Sequence, residues 1–341
     1  MEKRKSMGEK KIVKRQRQQP RVKVENAPPI KSLEDIIELG HTIVFYKNID
    51  AVTLWRIAPY VEQLNNMVGM KDLKESIFGQ IMYYLQGMHL RNSEGEGEYL
   101  HTMIYGPPGC GKTTVAWIIS KIYQALGILT VGSFKAVHRD DFIAGYLGQT
   151  AIKTTKLLKS CVGGVLFIDE VYSLAPRDND RDSFSKEALD TLISFLSEHK
   201  NDFCCIAAGY EDEIQNCFFG MNKGLKRRFP WVHRIKPYTP EELGEIFLGM
   251  TKKISWGTCL CEGDLPDIFR DNADMFKNAG GDIETYLTKC KISHSIRIMG
   301  LDEDHKFILT REDLDKGLEL MKLHQSEADK ISTSPPMGMY T

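Results

Sequence analysis

The sequence predicts an α/β protein, a doubly wound parallel sheet followed by a smaller helical domain. Three observations carry this. Between His101 and Lys236, short apolar runs alternate with stretches of helical period. A glycine-rich loop joins the first of those runs to the first of those helices. From Thr239 onward the strand pattern largely stops and helical periods take over. The 341 residues suit two folding units at roughly 150 residues each. Apolar residues make up 42% and charged residues 27%, which excludes a wholly disordered or collagen-like chain.

Along the chain, residues 1–31 form a basic arm with eleven Lys or Arg against three acids, hence +8, leaving -9 on the rest. The arm is expected to be disordered and solvated, or else to serve nuclear import or nucleic-acid contact. No aromatic residue interleaves its charges, so base stacking has no support. It lacks the apolar core of a secretory signal, and no run approaches the ~20 residues of a membrane helix. Eight cysteines without CxxC spacing read as reduced thiols of an intracellular protein, cytoplasmic or nuclear, rather than disulfides or a zinc site.

Order is expected from Ser32, where Ser32-Leu-Glu-Asp35 is close to a capping box, and residues 32–66 form a helical segment with a helix over 53–66. Ser93–Glu98 is a flexible connector. The α/β domain, 67–238, holds strands at 101–105, 129–134, 165–168, 203–208 and 231–236. Helices are expected at 112–126, 186–199 and 211–219. The helical domain, 239–325, holds helices at 240–254, 264–277, 282–296 and 311–325, and 326–341 is a flexible tail.

Gly106-Pro107-Pro108-Gly109-Cys110-Gly111-Lys112-Thr113 fits GxxxxGK[ST] between a strand and a helix. Glycines let backbone N–H groups converge on phosphate oxygens, and the helix N-terminus adds its positive dipole end. Lys112 would reach the β- and γ-phosphates, the Thr113 hydroxyl would ligate Mg²⁺, and Thr114 continues the loop. The apolar strand Gly164-Val-Leu-Phe-Ile-Asp169-Glu170 delivers two carboxylates to the end of a parallel sheet where phosphates bind. Asp169 would hold the metal, and Glu170 would orient and deprotonate the attacking water. Lys112 and Glu170 are thus the catalytic candidates, with ATP and Mg²⁺ as the cofactors.

Several further stretches carry a resemblance: Met67-Val-Gly-Met70, Ile104-Tyr-Gly-Pro-Pro-Gly, Arg139-Asp-Asp-Phe-Ile-Ala-Gly-Tyr-Leu-Gly-Gln149, Gly163 to Leu174, Ala208-Gly-Tyr210, and Asn222-Lys-Gly-Leu-Lys-Arg-Arg-Phe229. Over about residues 60–325 the chain resembles the AAA+ ATPases, within them the branch of red-type rubisco activases and sporulation protein K relatives. The resemblance implies strand order 5-1-4-3-2, a C-terminal helical lid and a homo-oligomeric ring, usually hexameric. It assigns Val68 and Gly69 to the adenine pocket, Tyr146 to the substrate-gripping pore loop, and Arg228 to the arginine finger serving the neighbouring subunit. A packing role for Tyr146, and Arg227 as the finger, are the alternatives. Tyr210 falls where many relatives place a polar sensor, usually asparagine. Residues 278–284 lack the lid arginine, for which Lys289 or Lys291 would substitute only if the helix register allowed it. The expected function is an ATP-driven ring that remodels a macromolecule, protein rather than nucleic acid. A nucleotide-gated scaffold with little turnover and a DNA- or RNA-handling protein are the alternatives.

Overall fold

The computed structural model describes residues 21–22, 25–42, 44–91, 98–146, 148–175, 183–222, 224–300 and 305–333. Most of the basic arm, all of the expected connector but Glu98, and residues 334–341 of the expected tail lie outside the described residues. The chain is already laid against the body upstream of Ser32. Lys47 N–H donates to the Glu25 carbonyl at 3.3 Å, Ala27 N–H to Asn48 Oδ1 at 2.7 Å, and Arg21–Val22 pairs with Val44–Phe45. Helix α1 (Leu33–His41) starts at the expected box: Asp35 N–H donates to Ser32 Oγ, and Ser32 N–H to Asp35 Oδ2. Helix α2 (Ala51–Asn65) is capped by Asp50. Helix α3 (Lys71–Leu85) has no counterpart in the sequence reading; its moderate amphipathicity and a left-handed Met70 at its start hide it.

Strands β1 (Thr102–Tyr105), β2 (Phe134–Val137), β3 (Val165–Ile168), β4 (Cys204–Gly209) and β5 (Trp231–Arg234) pair in parallel. Their order is β2-β3-β4-β1-β5, which read from the other edge is 5-1-4-3-2. Helices α4 (Lys112–Ala125), α5 (Thr150–Lys159) and α6 (Ser183–Glu198) complete the layers. Side chains alternate across the strands. Ile104, Phe167 and Ile206 pack with α4 residues Val115, Ile119 and Ile122. Met103, Leu166 and Cys205 pack with Leu158 of α5 and Leu192 and Leu196 of α6. Both faces are covered, as an all-parallel sheet requires.

Two expectations shift. The second strand was expected at 129–134 but runs over 134–137. Residues 130–132 instead bridge loops: Thr130 N–H donates to Asp202 Oδ1 at 3.0 Å, and Val131 and Gly132 N–H to the Gly163 carbonyl at 2.8 and 2.7 Å. β2 is a partly exposed edge strand, and Lys135 interrupts its apolar run. After β4, the single helix expected over 211–219 is a helical turn, a π segment over Ile214–Phe218, and a further turn to Met221.

The lid comprises α7 (Pro240–Lys253), α8 (Asp264–Asp271), α9 (Gly280–Arg297) and α10 (Arg311–Thr333) around Phe247, Phe269, Ile283, Tyr286 and Leu314. α8 stops at Asp271, short of the expected Lys277, and α10 continues beyond the expected Gln325. Two short parallel strands, β6 (Gly257–Cys259) and β7 (Ile308–Thr310), interrupt the helices.

Candidate nucleotide site

β1 ends at Tyr105, and α4 begins at Lys112; the six residues between are the glycine loop. Gly109 and Gly111 take φ of 67° and 91°, the left-handed region that a side chain disfavours. Gly106 N–H donates to the Gly209 carbonyl at 3.1 Å, tying the loop to β4. Lys112 is 9% exposed, and its Nζ donates to the carbonyls of Gly106 at 3.1 Å and Pro107 at 2.8 Å. Thr113 and Thr114 are exposed on the first turn of α4. Cys110 is buried, and burial pushes its thiol up, so it packs rather than reacts.

β3, separated from β1 only by β4, ends in Asp169 and Glu170. Glu170 N–H donates to Asp169 Oδ1 at 3.0 Å, and Glu170 holds φ of 48°. A non-glycine residue in that region persists only where its surroundings over-determine it, and such residues cluster at functional sites. Glu170 is exposed, while Asp169 is half-buried. Two tyrosines stand next to this pair. Tyr210 follows β4, with its ring centroid 5.9 Å from Lys112 Nζ and 6.1 Å from the Tyr172 ring. Burial, then Glu170 and Tyr210, push the Tyr172 phenol up to about 12. Tyr172 was not anticipated; the only sequence signal is its place two residues after Glu170.

A cavity of about 540 Å³ opens beside the loop, lined by Asn66, Val68, Gly111 and Thr114 of the α/β body and by Ile246 and Met250 of the lid. Its size and mixed lining suit a nucleoside. Of the two residues expected at the base, Val68 lines the cavity. Gly69 faces α7 instead, where a Cβ would lie 2.3 Å from Glu242 Oε1. Lys74 holds this segment by donating from Nζ to the carbonyls of Asn65 at 2.9 Å and Met67 at 2.6 Å.

The lid touches the loop directly, with Gly280 N–H donating to the Gly109 carbonyl at 3.2 Å, and Tyr238, the residue that leads into the lid, donates its hydroxyl to the Cys110 carbonyl at 3.0 Å. Lys289 and Lys291 do not substitute for the lid arginine there. A rise of 1.5 Å per residue puts them roughly 14 and 16 Å along α9 from Gly280.

Outside the cavity, Tyr146 is 74% exposed. Arg228 is half-buried: Nε donates to Ser197 Oγ and Nη1 to the Gly224 carbonyl, both at 2.8 Å. Arg227 is exposed. Among the described residues no disulfide joins the cysteines and no cluster of metal-ligating side chains occurs. No described helix is long and apolar enough to cross a membrane.

Residues 102–220 match the family model described as the ATPase family associated with various cellular activities (AAA). The chain is 40% identical over 274 residues to a cfxQ-like protein of Acanthamoeba polyphaga mimivirus, covering 79% of this chain and 66% of that protein. It is 38% identical over 188 residues to stage V sporulation protein K of Bacillus subtilis, covering 54% of this chain and 57% of that protein. Identity to the ESX-2 secretion system protein EccA2 of Mycobacterium tuberculosis is 37% over 190 residues, covering 54% of this chain and 30% of that protein. The chain therefore spans less than two thirds of the length of these relatives. Among solved structures, the FIGL-1 AAA domain in complex with ADP superposes with a TM-score of 0.55 at 16% identity, over 78% of this chain and 89% of that chain. The Thermotoga maritima RuvB Holliday junction branch migration motor gives 0.52 at 18% identity, over 75% and 71%. At these identities the likeness is one of fold.

Proposed function

The chain belongs to the AAA family of ATPases, and from that premise we propose that it is a Mg²⁺-dependent ATP hydrolase working as a ring of like subunits, with six the expected number, to remodel a macromolecule, protein rather than nucleic acid. The observation that carries the reading is the placement of the glycine loop and the Asp169–Glu170 pair at the carboxyl ends of β1 and β3, two parallel strands with only β4 between them. The base occupies the cavity beside Val68, and the N–H groups of the loop take the phosphates. The Lys112 ammonium, held by two loop carbonyls, sits where the β- and γ-phosphate charge gathers. The hard oxygens of Thr113 and Asp169 fit Mg²⁺, which would supply charge neutralisation on the phosphates. Glu170, fixed in its turn and open to solvent, orients the attacking water and accepts its proton.

What remains is a positive charge opposite the γ-phosphate, which we assign to the Arg227–Arg228 pair of the adjacent subunit. Arg227 is free to reach outward, whereas Arg228 would first have to leave Ser197 and Gly224. Exposed Tyr146 suits a grip on a threaded substrate. The scaffold reading draws on the absent lid arginine, and turnover separates the two. Glu170→Gln should bind ATP as wild type does and lose hydrolysis. A Glu170→Gln protein that hydrolyses at the wild-type rate would remove Glu170 from the mechanism. A wild type that binds ATP yet hydrolyses none across a panel of unfolded proteins would favour the scaffold.

A further inference from the structure

We propose that the lid is coupled to the nucleotide phosphates through the carbonyl side of the glycine loop, with Tyr238 and the Asn278–Gly280 turn as positioning residues in place of a lid arginine. This rests on the glycine loop being the phosphate site. In a trans peptide the N–H and C=O point in opposite directions. The Gly109 carbonyl shares its peptide with the Cys110 N–H, and the Cys110 carbonyl shares its peptide with the Gly111 N–H. Gly280 N–H holds the first carbonyl at 3.2 Å, and the Tyr238 hydroxyl holds the second at 3.0 Å. Donors from outside the loop thus set two consecutive peptide planes and aim their N–H groups away from Gly280 and Tyr238, as a nest of N–H groups for an anion requires.

The contact is built for bare backbone. A Cβ on Gly109 would lie 1.9 Å from the Asn278 carbonyl oxygen, and one on Gly280 would lie 2.8 Å from the Gly109 oxygen. Between them Ala279 holds φ 42° and ψ -108°, a conformation that persists only where the surroundings impose it. Asp282 imposes it by accepting from Asn278 N–H at 2.6 Å and from the Asn278 side-chain amide at 3.3 Å. A side chain at Gly109 or Gly280 would force loop and turn apart, which gives a steric reason for glycine at those two positions. Coupling follows from polarisation. A phosphate accepting from the Cys110 and Gly111 N–H groups makes the opposite carbonyls better acceptors, so phosphate tightens the lid. By reciprocity a docked lid tightens the phosphate.

The test is calorimetric titration of the full chain with ATP, ADP and adenosine, with adenosine weakness resolved by competition against a fluorescent ADP analogue. Tyr238→Phe keeps the ring in the cavity wall and removes only the hydroxyl. It should weaken ATP and ADP by about three- to tenfold, the scale of one net hydrogen bond, and leave adenosine unchanged. An equal loss for adenosine would make Tyr238 a base-packing residue, and no loss at all would leave its hydroxyl uncoupled; either overturns the proposal. Gly280→Ala should show the same phosphate-selective loss and faster hydrogen exchange across 278–281 in the free protein. Wild-type ATP affinity in that variant would overturn it as well. Failure of the underlying phosphate-site reading is distinguishable, because wild type itself would then bind ATP no better than adenosine.

Discussion

Asp313 is the residue whose loss should cost the lid most. Its carboxylate is fully buried and sits between three elements. It accepts from Arg297 Nε at 2.7 Å and Nη2 at 2.9 Å, from Thr310 N–H at 2.9 Å and hydroxyl at 3.1 Å, and faces His294 Nδ1 at 3.0 Å. Burial alone would raise this carboxyl, but the hydrogen bonds from Arg297, Thr310 and His294 outweigh it and hold it down to about 2. Against an ordinary 3.8, the depression amounts to about 2 kcal/mol of native-state preference for the charged form. The sign follows from the depression: this stability is fully present above about pH 4 and is lost as pH falls through 2. Asp313→Asn keeps the shape but leaves the Arg297 guanidinium without its countercharge. Breaking such a pair costs about 3–5 kcal/mol where both groups are buried, and Arg297 is partly exposed, so about 3 kcal/mol is expected. The assay is urea unfolding, with hydrogen exchange over α9 and α10 to localise the loss. The acid limb of the wild-type pH–stability curve should be blunted in the variant. A variant within about 1 kcal/mol of wild type, with the same acid limb, would refute the assignment of Asp313 as the lid's anchor.

Lys112→Ala should abolish ATP binding by calorimetry, because it removes the ammonium held at the loop carbonyls; wild-type affinity would sink the phosphate-loop reading. Removing the trans arginine, by Arg227→Ala or Arg228→Ala, should spare ATP binding and cut hydrolysis by roughly 10³-fold. Mixing that variant with Lys112→Ala subunits should restore some turnover, and a rate independent of subunit concentration with no rescue would rule out a shared site. Deleting residues 1–20 should leave the melting temperature and ATPase rate intact. Deleting 1–30 should lower stability, since it removes the Glu25 and Ala27 contacts with residues 47–48. Equal melting temperatures for the two truncations would show those contacts to be immaterial.

The sequence by itself determined the features that depend on neighbours along the chain. The glycine loop is legible because a strand, a phosphate-cradling turn and a helix start must follow one another within a few residues. Asp169 and Glu170 are legible because a fully apolar strand ending in two acids has one natural place in a parallel sheet. The capping box at Ser32 is local in the same way. What only the tertiary structure decided depends on groups far apart in the chain or on backbone geometry that composition does not encode. β2 escaped because an edge strand half open to solvent need not be apolar. Tyr238 lies 128 residues from the carbonyl it holds, and nothing local marks it. Gly280 acts through its backbone N–H, which every residue except proline carries, so its role exists only in the approach of lid to loop. Arg227 and Arg228 are indistinguishable as adjacent letters; packing against Ser197 and Gly224 sets them apart, because a guanidinium held by its own subunit must exchange those hydrogen bonds before it serves another.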